Sequence, residues 1–195
     1  METNAQQQKI CCITGRRPDG FPFSYGDNPA TRTYRRQLKR AIIYLIEEQK
    51  VVCFITGGAL GVDLDVAEIV LALQKTYPFV THRLALPYEN QAGRYAPNDK
   101  IRHERVKKSS NVVVLADHYT PWCMQQRNVY MVDNAHVVAA FVSGEKTGGT
   151  YNTIRYAKRK KKPVYVFNLD SCQTSNSKAW IKSAEQFAAE QLHFL

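Results

Sequence analysis

Six short runs rich in β-branched and aliphatic residues punctuate this chain: Ile10 to Thr14, Val51 to Thr56, Thr81 to Leu86, Val112 to Ala116, Val137 to Val142 and Val164 to Phe167. Stretches whose apolar residues recur at helical spacing separate several of them. This alternation constrains the fold more than any other feature. Neighbouring parallel strands require long crossovers, and helices that supply them also cover the faces of the sheet. The expected architecture is α/β, a doubly wound, mainly parallel sheet of about six strands with helices on both faces.

The crossover signals are specific. Tyr34, Leu38, Ala41, Ile42, Leu45 and Ile46 form one apolar stripe, which leaves Arg35, Arg36, Lys39 and Arg40 to solvent. Val62, Val66, Ile69, Val70 and Leu73 repeat the pattern after the second strand. Thr120 and Pro121 suit the cap and first turn of a helix running through Asn134. Thr150 suits the cap of another that ends before Pro163, and Ile181, Ala184, Ala188 and Leu192 mark a final helix within 177–195. Residues 1–8 read as a frayed N-terminus, 9–195 as a single domain, and 87–99 as a long irregular loop.

Composition narrows the function classes. A chain of 195 residues, 44% hydrophobic and 23% charged, buries one substantial core. No apolar run reaches the roughly 20 residues of a membrane span, and METNAQQQK lacks a signal-peptide core, so the expectation is a cytoplasmic protein. The five cysteines, without C-x-x-C spacing, read as reduced core thiols, and the dispersed histidines give no metal-ligand spacing. No cofactor is expected. A formal net charge of +10 favours anionic partners, although RHERVKK (102–108) and RYAKRKKK (155–162) also suit ordinary solvated helix faces.

Three glycine-bearing turns follow expected strands: TGRRP (14–18), TGGALGVD (56–63) and SGEKTGGT (143–150). In a parallel sheet they open on one edge, beside helix N-termini whose N–H groups suit an anion. The segment G-G-x-x-G is neither a P-loop nor a dinucleotide fingerprint. Gly57, Gly58 and Gly61 can either approach a ligand or only turn the backbone. Thr14, Gly15, Arg16 and Arg17 lie in the first turn, where the arginines suit phosphate. Asp63 favours the helix dipole and suits ribose hydroxyls. Arg127 reads on pattern alone as a solvated charge.

Together these motifs resemble the SLOG superfamily, the Rossmann-like group that includes the DNA-processing protein DprA, the LOG-type phosphoribohydrolases and the YpsA-like proteins. TGGALGVDLDVAEIVLAL resembles the DprA-type glycine segment, Arg127-Asn128 the arginine motif, and GGTYNTIRYA the second glycine-threonine turn. An opening ITG turn and the LPYENQ loop place the resemblance nearest the YpsA-like branch. The resemblance implies a nucleotide-type ligand at the carboxyl edge of the sheet, held by the residues above with Arg127, Gly148, Gly149 and Thr150; on the residues themselves Arg94 suits its phosphate, and Tyr88 or Tyr95 suits either base stacking or packing. DprA-like nucleic-acid binding and LOG-like N-glycosidic hydrolysis are the alternatives, and a homodimer is compatible. Against hydrolysis, no carboxylate follows Thr150 where the phosphoribohydrolases place their glutamate; Asp63 and Asp65 are the nearest substitutes.

Overall fold

The computed structural model describes residues 8–144 and 146–193, the last four as backbone. Most of the expected frayed stretch therefore lies outside the described residues, as does the Leu192 side chain. Six strands, β1 (Lys9–Gly15), β2 (Val51–Thr56), β3 (Thr81–Leu86), β4 (Asn111–Val114), β5 (Val137–Val142) and β6 (Val164–Asn168), form one sheet in the order β4-β3-β2-β1-β5-β6. Every pairing is parallel, so the expectation of a mainly parallel sheet is met in full.

Six α-helices cover it: α1 (Pro29–Glu47), α2 (Val62–Leu73), α3 (Pro97–Lys108), α4 (Cys123–Asp133), α5 (Gly148–Arg159) and α6 (Ser177–His193). Side chains alternate across a strand. Cys11 and Ile13 of β1 accordingly join the core under α1, α2 and α6, while Cys12 joins the core under α4 and α5. Leu84 and Leu86 of β3 pack with Leu64 of α2 and Val106 of α3. All five cysteines are buried and unbridged. Among the described residues no helix is long and apolar enough to cross a membrane.

Local chemistry sets the helix starts. Asn28 caps α1 by accepting the Thr31 N–H at 2.9 Å, and Pro29 fixes the first turn. Two starts differ from expectation. Helix α4 begins at Cys123 after Trp122, because Thr120 is used in a turn whose carbonyl accepts the Cys123 N–H. Helix α5 has Thr147 at its N-cap position, without a side-chain bond, so Thr150 sits inside its first turn. The irregular segment expected over 87–99 contains a 3-10 turn, Gln91–Arg94, and yields to α3 at Pro97.

Arg35, Arg36, Lys39 and Arg40 are exposed as their pattern implies, yet some basic residues are tied down by specific bonds. Asp65 of α2 is fully buried and accepts from Arg35 of α1 at 2.7 Å, Arg102 of α3 at 2.8 Å and the Tyr25 hydroxyl at 2.8 Å. One carboxylate thus ties three helices and the 21–28 segment together. Arg40 donates to the Ser177 hydroxyl at 2.5 Å.

Candidate functional site

The strand order reverses at β1: crossovers run through β2, β3 and β4 to one side and through β5 and β6 to the other. In open α/β sheets a crevice forms outside the carboxyl ends at such a switch point. A cavity of about 320 Å³ lies there. Thr14 and Gly15 end β1 and Arg16 and Arg17 follow it along the wall, Asp63 comes from α2, Arg127 from α4, and Gly149 and Thr150 from the start of α5. The strand ends of β2, β1 and β5 are adjacent, as the three glycine turns required.

Arg127 is the centre of the deep wall, buried and not solvated. Its Nη1 donates to the Gly57 carbonyl at 2.5 Å and lies 3.5 Å from Asp63 Oδ2. Its Nε is buried and finds no acceptor among the described residues. Asp63 accepts the Gly57 N–H at 3.0 Å. Burial pushes the Asp63 carboxyl above its ordinary range, against the opposing pull of Arg127 and the Gly57 N–H. Gly57 therefore holds both ends of a buried ion pair, one with its carbonyl and one with its amide.

That arrangement explains the glycine without a ligand. A Cβ on Gly57 would fall 1.4 Å from Arg127 Nη1. Gly58, with φ +67, faces Leu84, Leu86 and His103 and does not line the cavity. Gly61, with φ +85, passes so close to the first turn that a Cβ would stand 2.6 Å from the Arg16 carbonyl. Val62 donates its N–H to that same carbonyl at 3.3 Å. This segment shapes the wall and seats Arg127.

Arg16 is bound to the opposite loop. Its Nε and Nη2 donate to the Ser143 carbonyl at 3.1 and 2.5 Å, its Nη1 to the Thr147 carbonyl at 3.4 Å, and its guanidinium lies over the Tyr151 ring. It lines the cavity as a fixed positive charge. Arg17 is exposed on the rim. Among the described residues no side chain caps α5, which leaves its first-turn N–H groups beside Gly149 and Thr150 without a side-chain acceptor there. Gly148, φ +83, makes the turn into that helix and is not among the residues lining the cavity.

Arg94 lies elsewhere, in a groove with Tyr88 and Tyr119. Asp65, locked among Arg35, Arg102 and Tyr25, is not on the cavity wall either. Sequence reasoning missed Asp19, which reaches the rim two residues after Arg17, and the apolar wall of Ile13, Met124 and Met131. The place of Asp19 in the same turn was the available signal. Met124 carried none, since it reads as ordinary helix packing.

Comparison with known proteins gives a consistent picture. The YpsA family model, described as the YspA SLOG family, matches residues 11–172. The UPF0398 protein LBA1157 of Lactobacillus acidophilus is 37% identical over 168 residues, covering 83% of this chain and 89% of that protein. The SPbeta prophage-derived protein YoqJ of Bacillus subtilis is 28% identical over 164 residues, covering 73% and 95%. Among solved structures, DNA processing protein A from Helicobacter pylori, described in its single-stranded DNA binding mode, superposes with a TM-score of 0.55 at 18% identity. That superposition covers 91% of this chain and 80% of the other, and the likeness is one of fold.

Proposed function

This chain belongs to the YspA SLOG family, and from that premise we propose that it binds a nucleotide or nucleotide-derived anion in the cavity at the carboxyl edge of its sheet. The observation that carries the reading is a convergence. The uncapped start of α5 and the buried guanidinium of Arg127, whose Nε has no acceptor among the described residues, border one cavity at the switch point. A helix N-terminus and a desolvated cation both favour a phosphate.

The rest of the wall suits the remainder of such a molecule. Ile13, Met124 and Met131 offer apolar surface to a base, and Asn128 offers an amide that can both donate and accept along a base edge. Thr14 and Asp19 supply groups for sugar hydroxyls. A volume of about 320 Å³ is at the small end of the range for ligand pockets, which fits one nucleotide and not a chain of them.

Isothermal titration with nucleoside monophosphates tests this reading, with inorganic phosphate as the comparison. Binding of at least one monophosphate, weakened tenfold or more by Asn128→Ala in a protein that melts normally, is the expected result. No heat with any monophosphate refutes it.

Nucleic-acid binding is the second reading. A net charge of +10 favours it, as does the shared fold of the Helicobacter pylori protein. Hydrolysis has less behind it. Of the two carboxylates on the wall, Asp63 is engaged by Gly57 and Arg127, which leaves Asp19 on the rim.

A further inference from the structure

Large exposed aromatic side chains are few in this fold, and two of them stand three residues apart. Tyr119 is 61% exposed and Trp122 is 72% exposed, both in the connection from β4 to α4. Tyr88, in the loop after β3, meets Tyr119 edge to face with ring centroids 5.7 Å apart. Arg94 joins these two tyrosines around one groove. No packing requirement explains an indole at the mouth of a helix with most of its surface in water, because burying it would be favourable by about 2 kcal/mol or more.

The position of this ledge matters as much as its composition. It occupies the carboxyl edge of the sheet, the edge that carries the cavity. Helix α4 links the two, since Trp122 precedes its first turn and Met124, two residues on, lines the cavity wall. The turn bearing Arg94 links them again: Gln91 donates to the Gly57 carbonyl at 3.1 Å, and the Tyr95 hydroxyl donates to the Gly58 carbonyl at 3.2 Å. The Arg94 turn and the cavity therefore share the Gly57 carbonyl, which also accepts from Arg127, and ledge and cavity share one helix.

Resting on the nucleotide reading of the cavity, we propose that the ledge of Tyr88, Tyr119 and Trp122 stacks the bases of a single-stranded nucleic acid whose neighbouring nucleotide occupies the cavity. Exposed aromatic faces beside cations are the combination that holds unpaired bases without reading their sequence. Arg94 in the groove and Arg17 on the cavity rim supply the charge for the intervening phosphates. The nearby carboxylates do not cancel it: Glu89 is neutralised by Lys107 at 2.8 Å, and Asp117 is one charge in a chain with a net charge of +10. A duplex, whose bases are already stacked and paired, gives this surface nothing to hold.

The chain carries its own reporter. It has two tryptophans, Trp122 on the ledge and Trp180 buried at 2% exposure, so quenching of emission by an added base reports the ledge. The probes are a twelve-nucleotide oligodeoxyadenylate, the same strand annealed to its complement, and dAMP, each titrated into the full chain. The single strand is expected to quench Trp122 and to bind at least tenfold more tightly than dAMP or the duplex. Trp122→Ala and Tyr119→Ala are each expected to lower its affinity about tenfold, the scale of base-on-aromatic stacking, and to leave dAMP binding unchanged.

Unaltered affinity for the single strand in both variants overturns the proposal, as does a duplex that binds as well. A wild-type dimer that Trp122→Ala converts to monomer also overturns it, by giving the ledge to a second copy of the chain. Failure of the cavity reading is separable: dAMP then gives no heat, whereas failure of the ledge leaves dAMP binding intact.

Discussion

Gly57→Ala is the sharpest test of how the deep wall is built. The added methyl would lie 1.4 Å from Arg127 Nη1, 2.3 Å from Cζ and 2.8 Å from Nε, so the guanidinium must leave its seat. The backbone does not object, because Gly57 lies outside the positive-φ glycines of this fold. Taken alone, the exchange stabilises by up to about 1 kcal/mol through the unfolded chain. Displacing Arg127 breaks its bond to the Gly57 carbonyl and strands Asp63, buried, without its cation. Such a loss costs about 3–5 kcal/mol. The net expectation is a destabilisation of about 2–4 kcal/mol, the difference of those two effects.

A double-mutant cycle isolates the cause. Arg127→Ala alone also strands Asp63 and is costly, but it removes the atoms that the methyl meets. In that background Gly57→Ala should be neutral or slightly stabilising, giving a coupling of about 3 kcal/mol, at the upper end for residues in contact. Urea unfolding followed by circular dichroism measures all four proteins, with an unchanged m-value as the condition for comparing them. Equal destabilisation by Gly57→Ala in both backgrounds refutes the claim that this glycine exists to admit Arg127.

Two further outcomes follow from buried charge. Asp65→Asn keeps the shape of the hub but removes the acceptor charge shared by Arg35 and Arg102, and because both arginines are part-exposed the expected loss is about 2 kcal/mol in urea unfolding; an unchanged midpoint refutes the hub. His82, buried between the hydroxyls of Thr56 and Ser110 at 3.0 and 2.6 Å, has its pKa lowered to about 4 by burial. An unfolded imidazole titrates near 6.5, so the unfolded chain takes the proton first as pH falls. Stability present above pH 6.5 is then lost toward pH 4, by about 3 kcal/mol from this residue. His103, also lowered by burial, acts in the same direction. Unfolding free energies at pH 7.5 and 4.5 should differ less in His82→Gln than in wild type, and equal differences refute the assignment.

The architecture was legible because strand and helix periods are local properties. β-Branched and aliphatic runs marked all six strands, three of them followed by glycine turns, and the parallel sheet followed from the length of the crossovers. Helix starts were less legible. Thr120-Pro121 and Thr150 have good capping chemistry, yet Thr120 serves a turn and Thr147 occupies the N-cap position of α5 without a side-chain bond. Sequence alone offers several residues for one role, and the tertiary path selects among them.

Side-chain burial was least legible. Arg127 sits in a helix pattern that suits a surface cation, and only the adjacency of β2 with Gly57, absent from local sequence, brings it inside. Arg102 looked solvated for the same reason, since its partner Asp65 lies on another helix; Arg35 is exposed as its pattern implied, but its bond to Asp65 was not legible. The switch point was readable as a consequence of the fold class, whereas the division of labour among its glycines was not.

The central place of β1 bears on how the molecule is made. Its neighbours are β2 and β5, and the Ile10 N–H donates to His136 Nδ1 across 126 positions of chain. While a ribosome is still extending the polypeptide, β1 to β4 can assemble, but one flank of β1 stays unpaired until β5 emerges. An apolar strand left open in this way invites pairing with other nascent chains. The residues from β5 onward close that flank and supply the Gly149 and Thr150 wall of the cavity, so a truncation ahead of Val137 leaves the cavity incomplete and invites aggregation together.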